Sequence, residues 1–166
     1  RTGKDGTVVS IAETYEGKKL NSPNDVVVRS DGAIFFTDPP YGLEGREQEL
    51  PFQGVYAIRP SGELVLLVDD FKKPNGLALS PDEKTLYIAD TEGSHIRVFD
   101  VAEDGALSNG RLFCELPGPD GMKVDTKGKV VSFTKEDLEL LTAICSQAAV
   151  AIENAKLFED LKRANE

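Results

Sequence analysis

The stretch Pro23-Asn24-Asp25-Val26-Val27-Val28 decides the fold, because the chain repeats its pattern twice more. The later copies are Pro74-Asn75-Gly76-Leu77-Ala78-Leu79 and Pro119-Asp120-Gly121-Met122-Lys123-Val124. In each copy a proline precedes an amide or an acid, and a short apolar strand follows. The copies begin 51 and 45 positions apart (75 minus 24 and 120 minus 75). A period of this length, with several β-runs in each unit, is typical of propeller blades.

Runs rich in β-branched and aromatic residues predict the strands of these units. The first unit has Val26–Arg29, Ile34–Thr37, Gly54–Ile58 and Leu64–Val68, and the second has Leu77–Leu79, Thr85–Ala89, Ile96–Val101 and Arg111–Leu116. Thr7–Ala12 is predicted as a strand left over from a preceding unit. A third unit begins at Met122 and is predicted to stop after Gly128. The long loop from Pro39 to Gln53 is either functional or a solvated polar connection.

The composition changes abruptly after the third copy. All 15 glycines lie at or before Gly128 and all 9 prolines at or before Pro119. This change predicts a partial propeller over residues 1–128 and an amphipathic helix over residues 129–166. Thr134 and Asp137 form a variant of the capping box. An apolar seam at heptad spacing follows, made of Leu138, Leu141, Cys145, Ala148, Ile152 and Ala155.

The composition indicates an acidic globular protein of one domain, or of one domain with an appendage. A formal net charge of −10 over 166 residues argues against a nucleic-acid partner, because phosphate binding needs lysine and arginine. No apolar run approaches the roughly 18 residues that cross a bilayer, so no membrane partner is expected. The polar segment Arg1–Asp5 is unlike a signal peptide, which favours a soluble, cytoplasmic protein. Cys114 and Cys145 are predicted to be buried free thiols.

Three stretches resemble the gluconolactonase and senescence-marker-protein family of six-bladed propeller lactonases. They are Ser22–Gly42, Pro74–Thr91 and Pro117–Gly128, and they follow the family's order and spacing over roughly residues 6–128. The resemblance implies a mainly β chain with a partial six-bladed-type β-propeller, about two complete four-stranded blades plus fragments, before the C-terminal helix. It also implies hydrolysis of a sugar lactone or another lactone as the activity.

The same resemblance implies a divalent cation at the top of the central channel, held by a glutamate, two asparagines and an aspartate. By motif the asparagines match Asn24 and Asn75, the aspartate matches Asp120, and Asp25 matches a substrate-contacting position. This sequence has no counterpart of the blade that supplies the glutamate. The implied cation is calcium, with magnesium and zinc as alternatives, and the implied partner is a small-molecule lactone.

The chemistry of these side chains can also be argued from the residues themselves. Propeller geometry brings the starts of inner strands to one rim, so the three polar side chains are expected to converge. Two amide oxygens and one carboxylate are hard ligands that suit calcium or magnesium. Asp120 is the only carboxylate among them and is therefore the predicted catalytic base. The alternative is that an Asn or Asp after proline only shapes a turn.

Other polar residues receive structural interpretations. Asp38 and Asp90 each end a second strand and are predicted to cap the turn that follows, and Asp31 and Asp82 are predicted hairpin residues. His95 follows Gly93-Ser94 and is predicted to be a surface residue in a turn.

Phe133–Glu166 resembles the closing helix of a GAF domain, which in signalling proteins leads into a dimerising coiled coil. This second resemblance implies an alternative function: a non-catalytic, truncated or chimeric propeller fragment that self-associates through its helix. Open sheet edges and a helix that is apolar on two sides predict a homo-oligomer on either view.

Overall fold

The structure is a computed structural model that describes residues 2–134 and Asp137. The chain forms two compact units, Arg1–Ser132 and Phe133–Glu166. In the described part of the first unit, regular secondary structure consists of strands. Most of the second unit lies outside the described residues.

Twelve strands run along the described part of the chain. In order they are β1 (Thr14–Tyr15), β2 (Lys18–Lys19), β3 (Val26–Val28), β4 (Ile34–Asp38), β5 (Gln53–Ile58), β6 (Leu64–Phe71), β7 (Pro74–Leu79), β8 (Thr85–Asp90), β9 (His95–Val101), β10 (Leu107–Glu115), β11 (Pro119–Val124) and β12 (Val130–Thr134). Strands β3–β6 form the first sheet, β7–β10 the second sheet and β11–β12 the third sheet, while β1 and β2 make a separate hairpin. Neighbouring strands in the two four-stranded sheets are antiparallel.

The two four-stranded sheets share one layout, and both place the repeated motif on an edge strand. Strand order follows sequence order across each sheet, so β3 and β7 are the first strands of their sheets. Strand β7 packs against both β3 and β11. The three motif strands therefore succeed one another in space as they do in the chain, as the period predicts.

A hydrophobic core fills the space between the first and second sheets. Phe35 and Val55 of the first sheet are fully buried in one cluster with Leu86 and Ile88 of the second. Side chains alternate between the faces of a strand, so Phe36 points the other way and stacks on Tyr56 with ring centroids 5.3 Å apart. The burial of these faces explains the apolar runs Ile34–Phe36 and Leu86–Ala89 within the second strands of the two units.

The first and second sheets are also joined just after β3, through residues 29–31. The buried side chain of Arg29 donates from Nη1 to the carbonyl of Ala102 and from Nη2 to the carbonyl of Glu103. Asp31 accepts from both Nε and Nη2 of the same guanidinium, at 2.9 and 2.6 Å. Ser30 donates its backbone N–H to Glu83 of the second sheet's first hairpin. The two sheets are thus fixed to each other by directional bonds as well as by apolar contact.

Two predictions for the ends of the propeller region need correction. Thr7–Ala12 does not form a strand; the structure has only an isolated bridge between Thr2 and Val8 there. Val8 and Ile11 are 78% and 48% exposed, so little apolar burial offsets the entropy of ordering this backbone. At the other end, the third unit continues past Gly128, because β12 pairs with β11. The β-branched pair Val130 and Val131 favours this strand.

The predicted helix over residues 129–166 is wrong at its start, because Val130–Thr134 form β12. Beyond β12 it lies outside the described residues except at Asp137. Thr134 ends β12, and its backbone N–H and Oγ1 both donate to Asp137 Oδ2, at 2.9 and 2.8 Å. Asp137 returns a backbone N–H to Thr134 Oγ1 at 3.2 Å, so the reciprocal bonds of a capping box are present. The apolar seam from Leu138 to Ala155, including Cys145, stays a prediction.

Cys114 is a free cysteine, half-buried against the cluster of Ala89, Ile96 and Met122. It is therefore less enclosed than predicted. Over residues 2–134 and Asp137, no helix has the length and apolar character needed to cross a membrane.

Candidate functional site

Asn24 and Asn75 meet at the rim where β3 and β7 begin. Asn24 Nδ2 donates a hydrogen bond to Asn75 Oδ1 at 2.7 Å, although the two residues are 51 positions apart in the chain. A second bond joins the two sheets beside this pair, because Thr37 Oγ1 of β4 donates to the backbone carbonyl of Asn75 at 2.8 Å. Asn24 is exposed, while Asn75 is buried. The structure thus brings the two predicted asparagine ligands together.

The amide of Asn75 is held in one orientation. Its Nδ2 donates to Thr91 Oγ1 at 3.0 Å and to Tyr41 Oη at 3.2 Å. Thr91 Oγ1 in turn donates to the carbonyl of Pro119 at 2.7 Å. With both amide protons bound on one side, Oδ1 is the group that Asn75 presents to Asn24 and to the rim.

Asp120 lies next to Asn75 through a very close approach of the backbone. A Cβ atom added to Gly76 would lie 2.2 Å from the carbonyl oxygen of Asp120, so only glycine fits where β7 meets β11. Asp120 is half-buried, and over residues 2–134 no hydrogen bond or ion pair reaches its carboxylate. The backbone of the third predicted ligand therefore lies beside the residue that follows Asn75.

Asp25 has a different setting from the other three residues. Its Oδ2 accepts the backbone N–H of Leu77 at 3.0 Å, and its Oδ1 accepts the backbone N–H of Val26 at 2.9 Å. Both carboxylate oxygens are therefore engaged with backbone, and one of the bonds joins the first sheet to the second. This geometry favours a role in joining the sheets over the substrate contact that the resemblance implies.

Asp38 and Asp90 support the two asparagines in the same way in successive sheets. Asp38 accepts the backbone N–H groups of Asn21 and Ser22 at 2.7 and 2.8 Å. Asp90 accepts those of Lys72 and Lys73, both at 2.9 Å. Each carboxylate therefore fixes the two residues that lead into the Pro-Asn pair of its own sheet.

The predicted role of these two aspartates covers only part of this arrangement. Asp90 does bond the turn that follows, at the N–H of Gly93, but the main bonds of both residues run backwards along the chain. Burial raises the pKa of the Asp38 carboxyl, against the opposing effect of its bonds from Asn21 and Ser22. A buried carboxylate is costly without hydrogen-bond donors, and backbone N–H groups of the preceding segment supply them to both aspartates.

The remaining predictions can be placed directly. Asp31 and Asp82 cap their hairpins through the N–H groups of Ala33 and Lys84, as predicted. His95 is half-buried as the first residue of β9, and its Nδ1 lies 2.9 Å from the carbonyl of Gly93. His95 is therefore less exposed than predicted, and its ring contacts the turn that precedes it.

Thr91 and Tyr41 were not singled out from the sequence, yet both touch Asn75. A usable signal was present, since each follows shortly after an aspartate that ends a second strand. The loop from Pro39 to Gln53 carries Tyr41 to the rim, which gives part of that loop a place at the candidate site.

The oxygen ligands that these residues offer fit a hard cation. Asn75 presents an oxygen whose direction is fixed, and Asp120 supplies one negative charge. Asn24 could add its own oxygen after a half-turn of its amide, which would cost its bond to Asn75. Such a set of two amide oxygens and one carboxylate suits calcium or magnesium. Within the described residues, no group of three or more His, Cys, Asp or Glu side chains comes together, so any cation here relies on the asparagines.

Stacked four-stranded antiparallel sheets, each with its first strand at one polar rim, define the class of β-propeller proteins. The chain belongs to the family described as SMP-30/Gluconolactonase/LRE-like region, which matches residues 2–138.

Individual relatives agree with this family. The gluconolactonase of Zymomonas mobilis is 36% identical over 136 residues, which cover 72% of this chain and 38% of that protein. The solved gluconolactonase of Xanthomonas campestris is 44% identical with a TM-score of 0.73, covering 81% of this chain and 48% of that one. The regucalcin of Oryctolagus cuniculus is 31% identical over 137 residues, with 76% of this chain and 44% of that protein covered. The chain thus spans less than half the length of these relatives, and none of the three supports the GAF resemblance of Phe133–Glu166.

Proposed function

We propose that this chain carries the cation site of a hydrolase that opens a sugar lactone or another lactone. The observation that carries the proposal is the contact between Asn24 and Asn75 beside the backbone of Asp120. Membership of the family supports the class of reaction, since relatives in it are named gluconolactonase.

In this proposal the three residues have distinct roles. Asn75 is the fixed ligand, because Thr91 and Tyr41 hold its amide nitrogen. Asn24 is the adjustable ligand, because it is exposed and rotates its amide to present an oxygen. Asp120 is a ligand and also the catalytic base, because it brings the one carboxylate of the set.

Calcium is the cation we propose, with magnesium and zinc as alternatives. Oxygen donors at flexible spacing suit calcium best, and zinc sites normally rely on histidine or cysteine. The relative that carries the name regucalcin agrees with a divalent cation. Affinity is expected to be weak, since the charge of the ligands sets much of the affinity for calcium and the set has one carboxylate.

The chemistry can be written around Asp120. A divalent cation held by Asn24, Asn75 and Asp120 would supply a Lewis acid for the ester carbonyl of the lactone. The Asp120 carboxylate takes a proton from a water molecule whose oxygen forms a bond to the carbonyl carbon. When the ring C–O bond breaks, the same proton passes to the ring oxygen. The product is an open-chain hydroxy acid, and Asp120 returns to its carboxylate form.

Calcium calorimetry on the parent and on Asp120→Asn and Asn75→Ala tests the proposed site. Asp120→Asn should abolish binding and Asn75→Ala should weaken it. Two control variants should leave binding unchanged. They are Asp125→Asn, at an exposed turn residue that follows the strand of Asp120, and His95→Ala. Equal binding by Asp120→Asn and the parent would remove Asp120 from the site.

Hydrolysis of gluconolactone, corrected for spontaneous opening, tests the proposed reaction. Turnover by this chain is expected to be low, to require added calcium and to be lost in Asp120→Asn. Fast turnover in the presence of a chelator would refute the proposed mechanism.

The comparisons do not favour the alternative of a non-catalytic fragment that self-associates. Homo-oligomer formation itself stays a prediction, because the helix that would mediate it lies outside the described residues. Sedimentation at micromolar concentration, with and without calcium, should show a dimer or a larger species. A particle of 18.0 kDa under both conditions would contradict it.

A further inference from the structure

We propose that Thr91 is a positioning residue that fixes which end of the Asn75 amide faces the candidate cation site. The direction of the Thr91 hydroxyl is itself set by the carbonyl of Pro119, in the third sheet. This inference rests on the proposed function for its consequence, but its geometry is independent of any bound cation.

The argument begins with the single proton of the Thr91 hydroxyl. That proton is committed to the carbonyl of Pro119, at 2.7 Å. A carbonyl can only accept, so Thr91 Oγ1 has only lone pairs left for its other neighbours. The neighbour on that side is the Asn75 amide, 3.0 Å away. Asn75 must therefore turn its NH₂ group towards Thr91 and its oxygen away from it.

Tyr41 also touches Asn75 Nδ2, but it cannot make the same choice. Its hydroxyl lies 3.2 Å from the amide nitrogen and is on an exposed side chain. The proton of a phenol can rotate, so Tyr41 could accept from an NH₂ group or donate to an oxygen equally well. Asn24 also donates to Asn75 Oδ1, but its exposed amide can turn to donate or to accept. The discrimination between the two orientations of the Asn75 amide therefore comes from Thr91 and Pro119.

This relay joins three sheets at one point. Pro119 begins β11 and directly precedes Asp120, while Asn75 lies on β7 and contacts Asn24 beside β3. The carbonyl of Pro119, which precedes Asp120, thus sets the orientation of the Asn75 amide through Thr91. A wrong orientation would place an NH₂ group against the cation, so the relay should matter for affinity. Outer partners of this kind typically contribute about 10–100-fold in the affinity for a metal.

The test compares two variants that each remove one hydroxyl group beside Asn75 Nδ2. Thr91→Val removes the relay and keeps the shape of the side chain, and Tyr41→Phe is the matched control. Thr91→Ser keeps the hydroxyl and should rescue the effect. Circular dichroism and thermal melting establish that each variant is folded.

The first readout is the side-chain amide of Asn75 in the chelator-treated protein, measured by NMR and assigned by its loss in Asn75→Ala. Its protons should exchange at least about fivefold faster in Thr91→Val than in the parent, the loss of one net hydrogen bond. Thr91→Ser should match the parent. Unchanged exchange in Thr91→Val, or exchange in Thr91→Ser as fast as in Thr91→Val, would overturn the inference. If Thr91→Val does not fold, a missing cross-peak between the Asn75 amide and the Thr91 side chain in the parent would overturn it.

The second readout is calcium binding by calorimetry. The Kd should rise at least about tenfold in Thr91→Val and stay near the parent value in Thr91→Ser. Tyr41→Phe should change it less than Thr91→Val does. Equal losses in Tyr41→Phe and Thr91→Val would overturn the relay through Pro119. If the parent binds no calcium, the proposed function fails, and the amide measurement still decides the orientation.

Discussion

The backbone of Gly76 touches that of Asp120 so closely that a Cβ atom on Gly76 would lie 2.2 Å from the Asp120 carbonyl oxygen. This contact is where the second and third sheets meet, and it sits between two candidate ligands. The absence of a side chain on Gly76 therefore sets how near those ligands can come.

Gly76→Ala should displace β7 from β11, because the obstructing atom belongs to the backbone. We expect a loss of about 1–3 kcal/mol in the free energy of unfolding, as is usual for overpacking. Urea denaturation measures this loss. The matched control is Gly121→Ala on the facing strand, where an added Cβ meets nothing within 4 Å. Similar losses in the two variants would show that the close approach is not the cause.

Asp90→Ala should be among the most destabilising changes at the rim. The carboxylate is 1% exposed and accepts the N–H groups of Lys72, Lys73 and Gly93. Removing it leaves three donors without their acceptor, so we expect a loss of about 3 kcal/mol or more. Asp82→Ala, which removes an exposed hairpin cap, should cost much less. Equal denaturation midpoints for Asp90→Ala and the parent would contradict this assignment.

Asp25 can be tested for two roles, a hydrogen bond that joins two sheets and a contact with substrate. Asp25→Ala removes the acceptor for the N–H of Leu77, so it should lower the free energy of unfolding by about 1–2 kcal/mol. Thermal and urea denaturation without substrate measure this directly. Glu92→Ala, in the turn between β8 and β9 of the second sheet, serves as an exposed acidic control. Unchanged stability of Asp25→Ala, together with a raised KM, would restore the substrate role.

The pair of Arg29 and Asp31 should give the protein part of its acid sensitivity. The guanidinium of Arg29, followed by the N–H of Ala33, lowers the pKa of the Asp31 carboxyl from 3.8 to about 2. A lowered pKa in the folded state means that the stabilisation is complete above 3.8 and is lost as the pH falls through about 2. Asp31→Asn should therefore melt below the parent at neutral pH, and the difference should narrow as the pH falls through that window. A constant difference across the window would contradict the assignment.

The strands and the asparagine pair could be predicted because they depend on local pattern and on a repeat. Asn24 and Asn75 occupy the same position in two copies of one unit, so the fold had to bring them to one rim. The role of Thr91 could not be predicted, because it depends on where the carbonyl of Pro119 lies in three dimensions. Thr7–Ala12 shows the opposite error, since its residues favour a strand but find little to pack against. Asp25 was assigned by motif alone, whereas its hydrogen bonds to Val26 and Leu77 depend on the packing of two sheets.

The repeated bonds of Asp38 and Asp90 have a consequence for how such a site arises. The first and second sheets each contain both an asparagine at the rim and the carboxylate that fixes the residues leading to it. Duplicating the gene segment for one sheet therefore copies a ligand together with its support. Successive copies pack side by side, so equivalent residues of neighbouring copies come together, as Asn24 and Asn75 do. The third copy carries Asp120 where the first two carry Asn24 and Asn75, so a single position of the repeat would set the charge of the proposed cation site.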